Sequence, residues 1–402
     1  MTTSSSRRVA YAFTLAICLG AVLTLALPTF AQNADHATND EAELVLVNKV
    51  PHGLLVKAGG VRDVLILQGD PQEIGNAYGL LMKDAVNQMY QRLLAVGFAA
   101  SFMKKINFTA QIDESIERSE QYMPERFYQE IDAMADAVGR TRQEIRRLNS
   151  FPELFHCSGV AVKGNASVNG KIIHARVLDY MRDIGLQENS VLILTQPNGY
   201  NAWLSVSYAG FVGSVTAMNQ KGLAIGEIGG GGAGKWDGLP MAFLIRRIME
   251  ECDNVDQAIA LMKSVPLTCD YFYVLSDATG RLVAVAASAQ TDNPVVVLEQ
   301  GQEHELLPGA LPDVVYVSAG ERAQALYERL KEYYGKIDVN AMMEIIKRPV
   351  AMKSNLHDAI MTPETLDLWH AEAGLTTLGC DEPYLHVNIK TLMEFYNAQQ
   401  DQ

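Results

Sequence analysis

The sequence predicts an α+β fold, and three observations carry the prediction. Helical patterns gather in the first third of the chain, and short strand patterns gather after it. Helices and strands that come in separate runs build layers, not alternating parallel β–α–β units. The change of pattern falls at a cysteine, Cys157.

The chain has 402 residues, enough for one large domain or two ordinary ones with a real core. Its 48% apolar and 20% charged content is that of a globular protein without a disorder signature. Residues 1–31 read as a signal peptide: Arg7 and Arg8 precede a mostly apolar stretch from Val9 to Leu27, and Pro28-Thr29-Phe30-Ala31 offers cleavage after Ala31; an uncleaved anchor is the alternative, disfavoured by Thr14, Thr24 and a glycine within the run. The mature chain is then expected in a periplasmic or extracellular space. No later stretch is long and apolar enough to span a bilayer. Formal charge is −14, and loss of Arg7 and Arg8 takes it to −16, which argues against nucleic acid or an anionic membrane as partner. Of five cysteines Cys18 leaves with the signal; Cys157, Cys252, Cys269 and Cys380 remain. Cys252 with Cys269 is a conceivable bridge in an oxidising compartment, and buried thiols are an equal alternative.

From residue 32 to 156 a mainly helical segment is expected. It opens with strands at Glu43–Val47 and Asp63–Leu67 and a Gly59-Gly60 turn between them. Asp70-Pro71-Gln72-Glu73 announces a helix with an N-cap, a first-turn proline and a returning glutamate. Tyr78, Leu81, Met82, Ala85, Met89 and Leu93 continue it at helical spacing. Phe127, Ile131, Met134, Ala135 and Val138 mark a second helix stopped by Gly139, and Thr141 with Glu144 caps a third.

From residue 157 to 402 the strand candidates are Gly159–Val162, Lys171–Arg176, Val191–Thr195, Tyr200–Val206, Val215–Met218 and Leu223–Glu227. Asn169-Gly170 and Pro197-Asn198-Gly199 are the turns that pair them. Pro240 opens a helix, and a second covers Val255–Lys263. Tyr271–Leu275 and Leu282–Ala286 form a hairpin. Helices follow at Glu321–Tyr334 and Asn340–Lys347, then strands at Asp358–Met361 and Thr365–Trp369.

A catalytic cysteine needs a thiolate, a base and donors for an oxyanion. Cys157 stands between Phe155-His156 and Ser158-Gly159; taken alone, a cysteine at a strand start is more often a core residue. The Asn169-Gly170 turn, however, folds the next strand back toward it, with Arg176 and Asp179 at the far end of that strand. A guanidinium near a thiol lowers its pKa, and a carboxylate can orient an amine or proton donor. His174 and His357 are the alternative bases for an unprocessed cysteine hydrolase, and a non-catalytic binding protein on a decayed hydrolase fold is a third reading. The eight histidines show no metal-ligand spacing, and Gly229–Gly232 with Gly234-Lys235 is not a phosphate loop, so neither a metal nor another cofactor is expected.

Cys157-Ser158-Gly159 followed by Arg176-Val177-Leu178-Asp179-Tyr180 resembles the N-terminal nucleophile cysteine hydrolases. These include choloylglycine hydrolases, penicillin V acylases, acid ceramidase and the acyl-CoA:6-aminopenicillanic acid acyltransferase group. Gly69–Gly75, the Tyr208–Gly213 segment, Met218-Asn219 and Tyr273–Asp277 resemble further segments of the acyltransferase-like branch. The resemblance implies a four-layer αββα sandwich and self-cleavage of the His156–Cys157 bond, leaving two chains. The freed α-amine of Cys157, with an ordinary pKa near neutrality, would serve as base for its own thiol. Asp179 would hold that amine, Arg176 would favour the thiolate or contact substrate, and Arg322 matches a late family arginine. No asparagine precedes Arg322 where family members usually have one; Asn219 is then an oxyanion candidate beside backbone amides of the glycine run, with turn formation as its alternative. The implied partner is a small N-acyl amide, and the implied enzyme a hydrolase or acyltransferase of linear carbon–nitrogen bonds.

Overall fold

The computed structural model describes residues 40–104, 107–150, 156–180, 182–231 and 235–400. The signal-peptide expectation for residues 1–31 lies outside them. Three strands open the fold, β1 (Leu44–Val50), β2 (Gly53–Ala58) and β3 (Arg62–Gly69). Five helices follow: α1 (Pro71–Leu81), α2 (Lys83–Lys104), α3 (Phe108–Ser119), α4 (Glu125–Val138) and α5 (Arg142–Asn149). The expected caps are present, since Glu73 Oε2 accepts from the Asp70 N–H at 2.8 Å and Glu144 Oε2 from the Thr141 N–H at 2.9 Å.

Strands then dominate: β4 (His156–Gly164), β5 (Gly170–Asp179), β6 (Ser190–Pro197), β7 (Trp203–Tyr208), β8 (Thr216–Asn219) and β9 (Ala224–Gly231). After α6 (Met241–Glu251) and α7 (Val255–Ser264) come β10 (Asp270–Ser276), β11 (Leu282–Ser288), β12 (Val295–Glu299) and β13 (Val314–Val317). The chain closes with α8 (Gly320–Glu332), α9 (Val339–Ile346), β14 (Asn355–Thr362), β15 (Asp367–Glu372), β16 (Leu385–Asn388) and α10 (Ile389–Gln400).

The strands make two sheets, ordered β1-β2-β3-β6-β7-β8-β9-β10-β11-β12 and β13-β4-β5-β14-β15-β16. Neighbours are antiparallel except β3 and β6, which run parallel from Val64↔Leu192 to Gly69↔Pro197. Alternation along each strand gives every sheet two apolar faces, which is the layering rule for buried strands. Leu65, Leu67, Ile193 and Trp203 pack with Ile74, Phe127, Ile131 and Ile245 of the helices on the large sheet. Val64, Ile66, Leu192 and Leu204, one residue out of phase, meet Ala359, Met361 and Leu368 of the small sheet. On the far side of the small sheet Val160, Val162, Ala175 and Val177 pack with Leu326, Leu330 and Met342 of α8 and α9. Helix, sheet, sheet and helix are thus stacked in the four layers expected.

Several expectations change in detail. The one helix expected from Asp70 through Leu93 breaks at Met82 into α1 and α2. The span between the first two expected strands is itself a strand, β2, so residues 44–69 form a three-stranded meander before the helices begin. The strand expected at Thr365–Trp369 starts at Asp367 and runs on to Glu372. Leu366 sits at φ 67° in a turn whose N–H donates to Thr362 O at 2.9 Å, and that turn uses up the first two residues. The Cys252–Cys269 bridge is not made, and both side chains are buried.

Candidate active site

Period-two alternation decides which side chains share a face near Cys157. In the β4–β5 ladder Cys157 pairs with Leu178 and Gly159 with Arg176, and these residues point into the layer between the sheets. Ser158, Val160, Val177 and Asp179 take the opposite phase, toward α8 and α9. The layer is thin at this point because glycine allows it. A Cβ on Gly226 of β9 would lie 2.7 Å from Arg176 Cγ, and one on Gly159 would lie 2.8 Å from Ile228 Cδ1.

Into that space Arg176 lays a fully buried guanidinium. Its Nη2 donates to Cys157 Sγ at 3.2 Å and lies 3.3 Å from Glu227 Oε2; its Nε donates to the Glu227 carbonyl at 3.2 Å. Nη1 meets His357 Nε2 at 3.2 Å. Burial pushes the Cys157 thiol up to about 12, against the pull of Arg176 and of the Gly229 N–H that faces the sulfur. In the continuous chain the thiol is therefore protonated at neutral pH. Burial likewise pushes Glu227 up to about 7 despite its pairing with Arg176.

On the other face Asp179 is clamped. Arg322 Nη2, from α8, donates to Asp179 Oδ2 at 2.8 Å, and the Met352 N–H donates to Oδ1 at 2.8 Å. Arg322 Nη2 also reaches Ser158 Oγ at 2.6 Å, which in turn lies 2.7 Å from Ser318 Oγ. Asp179 pairs in backbone register with His156, the residue before Cys157. Burial raises its pKa and Arg322 opposes that rise.

Cys157 and Arg176 thus meet on one face of the β4–β5 ladder, and Asp179 and Arg322 on the other. Asn219 is not gathered with them. Its Nδ2 donates to the Met249 and Cys252 carbonyls at 2.9 and 2.8 Å, and its Oδ1 accepts from the Lys221 and Leu223 N–H groups, both at 3.1 Å. It ties a turn to the end of α6, which is the turn-forming alternative. The histidines do not serve Cys157 directly either: His174 Nδ1 lies 2.8 Å from Ser276 Oγ, and His357 faces Arg176. Of the glycine run, Gly229 is at the sulfur, and residues 232–234 lie outside the described residues. Glu227 and His357 were not singled out as partners of Arg176, because β9 and β14 meet β5 only through sheet stacking and long-range pairing.

Cys157 opens onto a cavity of about 330 Å³, whose walls include Ile228, Phe272, Val285, Leu298, Leu307 and Tyr316, with Ser318 and Arg322 beside it. Behind Arg176, His357, His370 and Glu372 place one potential ligand atom each within 4.8 Å of one another. Their chemistry does not fit a cation. The Nε2 lone pair of His357 is directed at a guanidinium, and the charges of Arg176 and Arg62 act on the same cluster.

Residues 169–305 match the family model of acyl-coenzyme A:6-aminopenicillanic acid acyl-transferase. The match agrees with the resemblance read from the motifs. The matched segment is about a third of the chain; it starts after Cys157 and contains Arg176, Asp179 and Glu227. Protein dcd1A of Dictyostelium discoideum is 26% identical over 340 residues, covering 74% of this chain and 77% of that protein. Protein dcd1B of the same organism is 24% identical, over 56% of this chain and 51% of its own length. The N-acylethanolamine-hydrolyzing acid amidase of Rattus norvegicus is 21% identical over 174 residues, 41% of this chain and 47% of the amidase. The chain therefore spans about half the length of dcd1B and of that amidase. Among solved structures, the Caenorhabditis elegans ortholog of that amidase aligns with TM-score 0.42 and 15% identity, over 52% of this chain and 93% of its own. Penicillin V acylase from Agrobacterium tumefaciens aligns with TM-score 0.37 and 12% identity, over 54% and 83%. The expectation of a hydrolase or acyltransferase agrees with the family and the amidase relatives.

Proposed function

We propose that the chain is a self-processing cysteine amidohydrolase that cleaves a linear N-acyl amide through a thioester on Cys157. The observation that carries this reading is the Arg176 guanidinium 3.2 Å from Cys157 Sγ at the wall of an apolar cavity. In the first stage Cys157 Sγ adds to the His156 carbonyl carbon. The carbon–nitrogen bond to Cys157 breaks, its nitrogen takes up the proton, and water hydrolyses the resulting thioester. The products are a carboxylate at residue 156 and a chain beginning with a free amine and thiol at Cys157.

The new amine has an ordinary pKa of roughly 7.7–8.0, low enough to take the thiol proton near neutral pH. Such a base is needed, because burial leaves the thiol protonated and Arg176 alone does not reverse that. Asp179, fixed by Arg322 and paired in register with residue 156, would hold the amine as it gains its proton. The thiolate then adds to the substrate carbonyl, the amine leaves with the proton, and water releases the acid. The Gly229 N–H, which faces the sulfur, supports the reading that a glycine-run amide serves the oxyanion. The apolar cavity takes the acyl group. Processing at Ala31 and export place the reaction outside the cytoplasm, where water and not a coenzyme thiol is the acceptor.

The test is a panel of N-acyl amino acids, N-acyl homoserine lactones, penicillins and conjugated bile acids, with acid-quenched samples analysed by peptide mass. Hydrolysis of at least one class, with its acyl mass on the Cys157 peptide, is expected. Turnover that persists in Cys157→Ala would reject the proposal.

A further inference from the structure

The proposed acyl transfer leaves unused a row of buried polar side chains on the inner face of the small sheet. Starting beside Arg176 of β5, it comprises His357 on β14 and His370 and Glu372 on β15, all essentially without solvent exposure. Thr216, Tyr208 and Ser190 close it from the large sheet. The contacts have one consistent direction. A guanidinium only donates, so the 3.2 Å contact from Arg176 Nη1 requires a lone pair on His357 Nε2. The ring proton is then on Nδ1, which donates to Tyr208 Oη at 2.9 Å. With that acceptor position filled, the Tyr208 hydroxyl turns its proton toward Glu372 Oε1 at 3.5 Å, and Ser190 Oγ donates to Glu372 Oε2 at 2.6 Å. Thr216 Oγ1, 3.2 Å from His357 Nε2, is a second donor to the same lone pair. Burial and the neighbouring Arg176 charge hold His357 well below its ordinary pKa, so the ring stays neutral and keeps that lone pair.

We infer that His357, locked by Tyr208 as its Nδ1–H tautomer, is a positioning residue that fixes the Arg176 guanidinium against Cys157 Sγ. The inference rests on the reading of Cys157 as nucleophile. Arg176 is a long side chain with several rotatable bonds, and a sulfur is a weak acceptor that cannot orient it alone. Glu227 holds one edge of the guanidinium through its carboxylate and carbonyl, and His357 holds Nη1; together they leave part of Nη2 aimed at the sulfur.

Alkylation of Cys157 by iodoacetamide, followed by peptide mass on the purified protein, reads the thiol without any substrate. His357→Leu is expected to slow it about tenfold, the equivalent of one pKa unit, and to lower kcat more than it alters KM. His357→Gln, whose amide can present an acceptor toward Arg176, should recover most of both. Tyr208→Phe, which removes one oxygen, should give a smaller loss of the same kind. Wild-type alkylation rates in folded His357→Leu, or equal losses in the Leu and Gln variants at unchanged Tm, would overturn the inference. If His357→Leu does not fold, an unchanged rate in Tyr208→Phe overturns it. A wild-type protein whose alkylation depends on His357 but which hydrolyses no amide supports the positioning role and rejects the hydrolase reading.

Discussion

Arg176 meets Cys157, Glu227 and His357 from a fully buried position, and its partners lie on three different strands besides its own. A buried cation so placed orders the site more than it stabilises the fold, because its desolvation offsets much of the attraction. Removing it is another matter. Arg176→Met should cost about 3–5 kcal/mol in denaturant unfolding, since it strands Glu227 without a counter-charge. The cost should be smaller at pH 5 than at pH 8, because Glu227, already near 7, escapes the penalty by taking a proton. A loss that is equal at both pH values would contradict the pairing. Arg176→Lys retains the charge but not the fork and should not restore Cys157 alkylation. Cys157, Arg176 and Asp179 were legible in the sequence because a strand and its hairpin partner carry all three. His357 was legible only as an alternative base and Glu227 not at all; their place beside Arg176 was hidden, since no local pattern tells a buried glutamate or histidine which distant strand it will face.

At the level of elements, strand phase does the sorting. It sends Cys157 and Arg176 into the inter-sheet layer and Ser158 and Asp179 toward α8, so the thiol and the carboxylate lie on opposite faces of the same ladder. Gly226 is the point where the other sheet approaches. Gly226→Ala puts a methyl group 2.7 Å from Arg176 Cγ; overpacking of this kind costs about 1–3 kcal/mol. Displacement of the guanidinium should also slow Cys157 alkylation, and an unchanged rate would show that the guanidinium does not act on the sulfur. Helix starts behave more simply: Thr141→Ala should lower unfolding stability by about 1 kcal/mol through loss of the cap, and leave alkylation untouched. Capped helices such as α1 and α5 were readable for that reason. α3 was missed because its buried face is only Ile112, Ser115, Ile116 and Ser119, too polar to show as an apolar stripe. β2 was missed because tight turns at both ends leave no long run of alternation.

Across the whole molecule, the described residues between 40 and 150 are tied into the large sheet. β3 extends the large sheet through six paired positions with β6, and α1 and α4 pack on that sheet. A cut after His156 should therefore yield two chains that stay together through gel filtration. Buried titratable groups set the pH response. Glu227 and Asp358 are pushed up to about 7 and Glu372 to about 8, so their contribution is full below the ordinary carboxyl range and is lost as pH rises through 7 to 8. His174 is pushed down to about 3, and His357 and His370 lie well below the ordinary imidazole value. Their contribution is full above pH 6.5 and is lost as pH falls. Between about 4.5 and 6.5 the two sets oppose each other, so Tm should be flat there and fall on both sides. Glu372→Gln should weaken the alkaline fall, and a Tm still rising above pH 7 would contradict this balance. The central claim is that the architecture changes at Cys157 because the chain is cut there. Denaturing intact-mass analysis of the purified protein tests it most directly. Wild type should give two masses, one of a chain beginning at Cys157, while Cys157→Ala gives a single uncut chain; an active wild type with residue 156 still joined to 157 would contradict the account.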